Sequence, residues 1–386
     1  MKAFISRTNT KVEPFNEHSQ ILLIQNRPLR EHQLETITQI GLLLDESENV
    51  ETEAERVVFK DTVFFSKMLL ESFIAESRRV GKPTQCALKK GVFTKTTAAS
   101  VMDLDDMGDM LGYRLYYYPS GVRNTVDFQP ITINPDEHIQ ELRFPDHMII
   151  DGKYSITISR KLLIQIEHWT NLWACNLQNM LSRLAHLRAN RARQLRLALT
   201  ALSTNQWKIL AQNVDIGQGS DIHPTAYIED SVVGENVEIG ANSVVRGSLI
   251  GDNTVLGNNV NVAHSVLGEH CQLWDGVTIT YSLLYPGAFV TSPLINCSVL
   301  GRNTFLPIGA TITDFRFDGQ NVIVLKQGKP YDSGNRFLGA CVGHNSYLGS
   351  GIVVAPGREI PNNTRIVPNA DRVLSNLDKL NGFQKV

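Results

Sequence analysis

The C-terminal half of the chain places aliphatic residues at nearly constant intervals. They are separated by steps of six, six and five, and the series begins Ile216, Ile222, Ile228, Val233, Ile239, Val245, Ile250, Leu256, Val262, Leu267, Leu273, Ile279 and Leu284. A strand alternates with a period of two and a helix with a period of 3.6, so neither produces this spacing. A triangular coil does, because each rung turns one corner with its aliphatic side chain inside. The pattern predicts a left-handed parallel β-helix of hexapeptide repeats.

The repeat of 17 residues also predicts which side chains stack on one another. Ile216, Val233, Ile250, Leu267 and Leu284 recur at this interval, so they should form one internal row. Many of the aliphatic residues are followed by glycine or another small residue, as a tight corner requires.

The ladder continues with a slip, breaks, and resumes near the end of the chain. Its later members are Val290, Ile295, Leu300, Leu306, Ile312, Val342, Leu348, Val354, Ile360 and Ile366. The interruption at residues 313–341 contains short apolar arms and glycine turns, which predict a β-hairpin excursion from the solenoid. Such loops commonly contact another chain or cover a ligand. We therefore expect an ordered excursion that reaches a neighbouring chain.

Upstream of the ladder, short apolar runs alternate with helical stretches, which is typical of an α/β domain. Strands are predicted at residues 3–5, 21–24, 57–59, 114–118 and 154–158, and helices at 32–44 and 66–79. Ser66 is a suitable N-cap for the second helix, and Gly81 is a suitable stop.

A long amphipathic helix is predicted to connect the two regions. Apolar residues recur every three or four positions from Leu162 to Leu187. The basic run from Arg188 to Arg196 is interpreted as a solvated face, with binding of phosphate or an acidic partner as the alternative. The predicted organisation is an α/β domain at 1–160, a connecting helix at 161–210, a β-helix at 211–370 with its excursion, and a tail at 371–386.

Composition limits the classes of protein to which the chain could belong. The 386 residues carry a formal net charge of −2, so the chain lacks the excess of positive charge that attracts nucleic acid. The widely spaced cysteines form no CxxC pair and are interpreted as reduced, buried thiols. Polar residues interrupt the N-terminus before a signal peptide could form, and no apolar run reaches the roughly 18 residues that span a bilayer. We expect a cytoplasmic protein.

Three C-terminal segments carry a more specific resemblance. They are residues 312–318 (ITDFRFD), 332–340 (DSGNRFLGA) and 355–361 (APGREIP). In order and spacing they resemble the sugar-1-phosphate nucleotidyltransferases that carry a C-terminal left-handed β-helix, in particular the bifunctional nucleotidyltransferase/acyltransferase group. The resemblance implies a Rossmann-like N-terminal domain, a homotrimer, and a role in nucleotide-sugar or cell-envelope saccharide metabolism. Sugar phosphate, nucleotide and acyl-CoA are the ligands it implies.

The N-terminal part resembles this family only partly. Residues 2–5 (KAFI), 26–29 (NRPL) and 58–61 (VFKD) are similar to its first strand, the segment before its first helix, and the strand whose final aspartate holds a metal ion. The resemblance makes Asp61 a candidate ligand for Mg²⁺. The family's glycine-rich phosphate loop is missing, because residues 6–14 (SRTNTKVEP) contain no glycine. We expect a reduced, degenerate nucleotidyltransferase fold that has lost nucleotidyl transfer.

The polar residues of the family's acyl-transfer site are also replaced. Thr291 stands near the position of its histidine base, Asp314 corresponds to its loop asparagine, and Phe337 corresponds to its lysine. Because an imidazole is the usual base near neutral pH, a rebuilt site between chains would have to use another histidine. The candidates are His264, His270 and His344. Ordinary surface or corner positions are the competing interpretation, and a zinc site of the carbonic-anhydrase kind at His264 and His270 lacks an evident third ligand.

Charged residues on the excursion are candidate substrate-binding groups. They are Arg316, Arg336, Asp314 and Asp318. Arginine suits bidentate contact with phosphate or carboxylate, although an ion pair between Asp318 and Arg336 could equally hold the base of the hairpin. Three functions remain open at this point: an altered transferase of the sugar-nucleotide family, a trimeric β-helix scaffold or regulatory pseudoenzyme, and an acyl-CoA-dependent acyltransferase with a rebuilt site.

Overall fold

A computed structural model of the chain describes residues 1–45, 53–149 and 152–369. The N-terminal part is an α/β domain, and the C-terminal part is a left-handed parallel β-helix of hexapeptide repeats, as predicted. The tail predicted at 371–386 lies outside the described residues.

A mixed sheet forms the centre of the N-terminal domain. Its described strands are β1 (Lys2–Ser6), β2 (Leu43–Asp45), β3 (Arg56–Lys60), β4 (Thr84–Lys89), β5 (Asp105–Asp106), β6 (Met110–Tyr118) and β7 (Gln129–Ile133). Their order across the sheet is β7-β4-β6-β3-β1-β2, and β5 pairs with β6. β1 and β3 are parallel neighbours, whereas β6 runs antiparallel to β3 and β4. The loop after β1 and Asp61 after β3 therefore meet at one edge of the sheet.

Helices and short strand pairs surround this sheet. The helices are α1 (Leu29–Gln39), α2 (Lys67–Val80) and α3 (Val92–Thr96), with 3-10 turns at Ser19–Ile21 and Ala99–Val101. The short pairs are Lys11–Val12 with Glu17–His18, Leu23–Ile24 with Arg27–Pro28, Val63–Phe65 with Leu163–Gln165, and His138–Arg143 with Lys153–Ile158. As predicted for α2, the Ser66 hydroxyl accepts from the Leu69 amide, and Gly81 ends the helix in the left-handed conformation.

The connecting segment differs from the single helix predicted from position 161. Leu163–Gln165 is a buried strand, and α4 begins only at Trp169 and runs to Ala189. Asn190 then caps a separate helix, α5 (Arg191–Ala201), and α6 (Gln206–Leu210) follows. The apolar residues before Trp169 are buried in a strand pair, which their spacing alone could not distinguish from a helix face. Arg188 of the basic run lies in the last turn of α4, and the other arginines lie on α5, which buries none of its residues.

Short parallel strands form the three sides of the β-helix. The first side contains Asp215–Ile216, Val232–Val233, Leu249–Ile250, Val266–Leu267, Leu283–Leu284, Val299–Leu300, Cys341–Val342 and Glu359–Ile360. The second contains Asp221–Ile222, Glu238–Ile239, Val255–Leu256, Gln272–Leu273, Phe289–Val290, Phe305–Leu306, Tyr347–Leu348 and Arg365–Ile366. The third contains Tyr227–Glu229, Val244–Arg246, Asn261–Ala263, Thr278–Thr280 and Leu294–Asn296, and then Thr311–Ile312 with Val353–Val354.

The predicted internal row is confirmed. Ile216, Val233, Ile250, Leu267 and Leu284 are consecutive partners on the first side. Ile216 is 52% exposed because it lies in the first coil, while the other four are buried. The coil closes again beyond the excursion, where Leu300 pairs directly with Val342. The hairpin therefore leaves the first and second sides continuous, while the third side divides into two sheets before Thr311–Ile312.

One side of the β-helix packs against the N-terminal domain. The outward residues Val266, Leu283, Val299 and Cys341 are buried and belong to the same apolar cluster as the N-terminal sheet and α4. The interior of the β-helix forms a second cluster. The first cluster therefore spans the contact between the two domains, and the second lies inside the coils. No described helix has both the length and the apolar character needed to cross a membrane.

Candidate functional sites

The edge of the sheet to which the family resemblance assigns a nucleotide is occupied by the chain itself. Asp61 is buried, and its two carboxylate oxygens accept from the backbone amide and the hydroxyl of Thr8 at 2.9 and 2.7 Å. In the described part of the chain, no three His, Cys, Asp or Glu side chains converge as a metal-binding set. Mg²⁺ normally requires several oxygen ligands in octahedral geometry. The arrangement around Asp61 does not fit that requirement.

The loop after β1 folds into a hairpin that docks on the β-helix. Phe15 at its tip is buried and stacks on His344 and Tyr285, with ring centroids 4.6 and 5.3 Å apart. The Phe15 carbonyl also accepts from the Asn362 side chain at 2.7 Å. In place of a phosphate-binding turn, the chain has a contact between its two domains. We call this contact, formed by Phe15, Glu17, Tyr285, Arg302, His344 and Asn362, the interdomain clamp.

Charge reinforces the interdomain clamp. The Arg302 guanidinium lies 2.5 Å from the Glu17 carboxylate, and the His344 ring lies 3.4 Å from the same oxygen. Burial opposes ionisation of Glu17, but the hydrogen bonds and charges of His344 and Arg302 outweigh it and lower the pKa of Glu17. His344 is 7% exposed, and its Nδ1 accepts from the Arg302 amide at 2.8 Å. This candidate base is therefore enclosed between two domains of one chain.

The other two candidate histidines occupy left-handed corners of the coil. His264 has φ of 49° and His270 has φ of 56°, and the equivalent corners of other coils use residues such as Asn253 and Gly247. Each histidine amide donates to the previous coil, His264 to Arg246 and His270 to Asp252, at 2.8 and 2.9 Å. The His264 ring stacks on Tyr281, and burial lowers its pKa. These contacts account for both positions as corner residues.

The excursion contacts the N-terminal domain of its own chain. Its hairpin is formed by Ile323–Lys326 and Lys329–Asp332. The Lys326 ammonium donates to the Val101 carbonyl at 2.5 Å, and the Asn335 side chain donates to the Thr96 carbonyl at 3.1 Å. The contact with a neighbouring chain stays a prediction beside these contacts within the chain. The contacts within the chain bring the excursion onto the segment around α3.

The described contacts of Arg316, Asp318 and Asp314 lie at two separate places on the excursion. Arg316 forms an ion pair with Asp318, two residues away and exposed, whereas the sequence had left open a pair between Asp318 and Arg336. Asp314 lies elsewhere and is half-buried at the base of the excursion. Asp314 lines a cavity.

That cavity lies between the two domains and has a volume of about 360 Å³. Its lining is mostly apolar and comprises Leu142, Phe144, Met148, Tyr154, Ile156, Trp173, Leu177, Leu181, Tyr281, Asn296, Cys297, Asp314, Phe315 and Phe337. Phe337, which replaces the lysine of the resembling family, stacks on Phe315 at 5.4 Å and contacts Phe144 at 5.0 Å. The excursion thus contributes an apolar wall in place of a cation. We call this space the interdomain cavity.

A short hydrogen-bond relay forms the polar end of the interdomain cavity. The Thr280 hydroxyl donates to the Asn296 Oδ1 at 2.5 Å, and the Asn296 amide donates to a carboxylate oxygen of Asp314. Burial raises the pKa of Asp314, and the hydrogen bond from Asn296 opposes the rise. Cys297 is also buried here, and burial raises its pKa well above the usual range of a thiol. Its thiol is therefore in the neutral, weakly nucleophilic form.

Sequence reasoning identified Asp314 but not the interdomain cavity around it. Trp173, Leu177 and Leu181 come from α4, and Tyr154 comes from the strand Lys153–Ile158. Both elements lie more than a hundred positions before Asp314 in the chain. No local motif links these residues. The one available signal was Phe337, which the family resemblance led us to interpret as the replacement of a lysine in the acyl-transfer site.

Comparisons with known proteins support the β-helix. Residues 200–290 match the family described as the EIF2B subunit epsilon LbH domain. Among solved structures, a Bacillus cereus protein reported as a candidate acetyltransferase matches with 17% identity and a TM-score of 0.17, covering 39% of this chain and 76% of its own. A score this low supports no functional inference. No curated protein matches the chain.

Proposed function

We propose that this chain is a non-catalytic scaffold protein with a nucleotidyltransferase-like domain and a hexapeptide β-helix. The observation that carries the proposal is the use of the loop after β1. Nucleotidyl transfer needs this loop to surround phosphate groups with backbone amides, whereas here Phe15 and Glu17 hold it against the β-helix. Thr8 in turn donates two hydrogen bonds to the Asp61 carboxylate, which a metal ion would need as a ligand. In this proposal the residues of a former active site act as structural contacts.

The first prediction concerns Asp61. In Asp61→Asn, the Thr8 amide keeps only a neutral acceptor and the Thr8 hydroxyl must turn to accept from the new NH2 group, so two charge-assisted hydrogen bonds are weakened. We expect the free energy of unfolding to fall by about 1–3 kcal/mol, measured by chemical denaturation. Asp109→Asn is the matched control, because Asp109 is exposed, and it should leave stability unchanged.

Activity measurements on the wild type and on Asp61→Asn can contradict the proposal of a non-catalytic protein. The wild-type protein should release no pyrophosphate from nucleoside triphosphates with sugar 1-phosphates and Mg²⁺. Pyrophosphorolysis in the wild type that disappears in Asp61→Asn, with stability unchanged, would show a working nucleotidyl site and end the proposal.

A row of aromatic side chains gives the scaffold a surface for assembly. Phe289, Phe305 and Tyr347 project outward from consecutive coils of the second side, and the Phe289 and Phe305 rings stack at 5.2 Å. Trp274 extends the row through its contact with Phe289 and is 59% exposed, and Ile308, which follows the Phe305 strand, is 67% exposed. Contiguous apolar surfaces of this kind commonly mark contacts between proteins. We infer that this side joins β-helices in a homotrimer.

The second prediction concerns this assembly. Light scattering should give a mass near three times the 43.1 kDa of one chain. Phe305→Glu should shift the population towards monomer, because a buried unpaired carboxylate costs several kcal/mol. Val126→Glu is the control, since Val126 is fully exposed on the N-terminal domain. A wild-type monomer at micromolar concentration, or a trimer unaffected by Phe305→Glu, would refute this arrangement.

A further inference from the structure

The interdomain cavity has the size and lining of a ligand site. Its walls come from α4, the pair His138–Arg143 with Lys153–Ile158, a corner of the β-helix and the base of the excursion. Ligand pockets typically enclose 300–1,000 Å³ with mainly apolar walls and a few polar groups that orient the ligand. At roughly 30 Å³ for each non-hydrogen atom, a volume of about 360 Å³ accommodates about a dozen such atoms.

The polar end determines the chemistry of the ligand. Among the described residues that line the interdomain cavity, Asp314 is the only charged one. The Asn296 amide already donates to one of its oxygens, and the Asn296 Oδ1 is occupied by Thr280. The Tyr154 hydroxyl donates outside this relay, to Asn335 at 3.1 Å. A carboxylate has about four acceptor positions, so Asp314 retains capacity to accept from a ligand.

We propose that the interdomain cavity binds a small amphiphile, with an aliphatic tail of about ten carbons and a cationic or neutral head that donates a hydrogen bond to Asp314. The tail contacts Trp173, Leu177 and Phe337, and the head reaches the relay of Thr280, Asn296 and Asp314. A carboxylate head is disfavoured by charge, because it would face the Asp314 carboxylate in a mostly apolar cavity. This site is independent of the edge of the sheet at Asp61.

Three ligands with the same tail test the proposal. Decylamine, 1-decanol and decanoic acid are titrated into the full-length protein at pH 7.5 by calorimetry, below their aggregation concentrations. The amine and the alcohol should bind with one site per chain, and the acid should bind at least about tenfold more weakly. If none of the three binds, the cavity is not a ligand site. If the acid binds as well as the amine, the assignment of the head group is wrong.

Variants test whether the ligands bind in the interdomain cavity or on another apolar surface. Asp314→Asn should weaken the amine at least about tenfold and remove the discrimination against the acid, because the buried charge is gone. Asp318→Asn, on the same excursion but exposed, should leave all three affinities unchanged. Leu177→Phe should weaken all three ligands together by filling the cavity. Unchanged affinities in both Asp314→Asn and Leu177→Phe would overturn the proposal, and the wild-type series decides the outcome if either variant misfolds.

Discussion

Replacing Gly251 with valine is expected to lower the free energy of unfolding by roughly 4 kcal/mol or more, because the coils of the β-helix would no longer stack. A Cβ at this position would lie 2.5 Å from the backbone of the next coil, at Gly268 and Glu269. The Gly251 amide also donates to the Leu267 carbonyl at 2.8 Å, so the backbone cannot move away without losing that bond. Overpacking against backbone is relieved less easily than overpacking against a side chain.

Glu269→Val provides the matched control for Gly251→Val. Glu269 directly follows Gly268, the equivalent of Gly251 in the next coil, and is exposed. Its substitution should change the free energy of unfolding by no more than about 0.5 kcal/mol. Both variants can be compared by denaturation and by far-UV circular dichroism. Equal stability of the two would mean that the coils are less closely stacked than the structure shows.

The interdomain clamp gives the second large effect. Phe15→Ala should lower the free energy of unfolding by about 3–5 kcal/mol, the usual cost of removing a buried phenylalanine ring. The substitution removes two stacking contacts, with Tyr285 and His344, and leaves a cavity between the domains. It should also loosen the hairpin, which limited proteolysis or hydrogen exchange at residues 11–18 would detect.

Phe317→Ala is the control for Phe15→Ala, because the Phe317 ring is fully exposed. The change in residue type is identical, so any difference between the variants reports burial. A value near zero for Phe15→Ala would show that the loop after β1 does not hold the domains together. It would also remove the main support for a non-catalytic N-terminal domain.

The β-helix was predictable because its repeat is local. Each inward aliphatic residue lies six or five positions from the next, and the register of Val233 on Ile250 follows directly from the interval of 17. The glycines that follow these aliphatic residues are explained by the close stacking of adjacent coils. A Cβ at Gly251 or Gly217 would meet the backbone of the adjacent coil.

The sites were harder to predict because they depend on packing between distant segments. The missing glycines of the loop after β1 indicated lost chemistry, but nothing in the sequence showed that Phe15 would reach Tyr285 and His344. Asp314 was identified through a family position, while its apolar surroundings come from α4 and an N-terminal strand pair. Candidate residues can be read from a sequence more easily than the partners that decide their role.

The interdomain clamp also has a consequence for the order in which the protein is made. The Phe15 carbonyl receives its hydrogen bond from Asn362, which lies 347 positions later in the chain. At translation rates of about 5–20 residues per second, the ribosome needs roughly 20–70 s to synthesise that interval. Throughout this time the nascent N-terminal domain exposes the apolar surface that the β-helix will later cover. Part of this apolar surface therefore stays exposed to solvent until the final coils leave the exit tunnel of the ribosome.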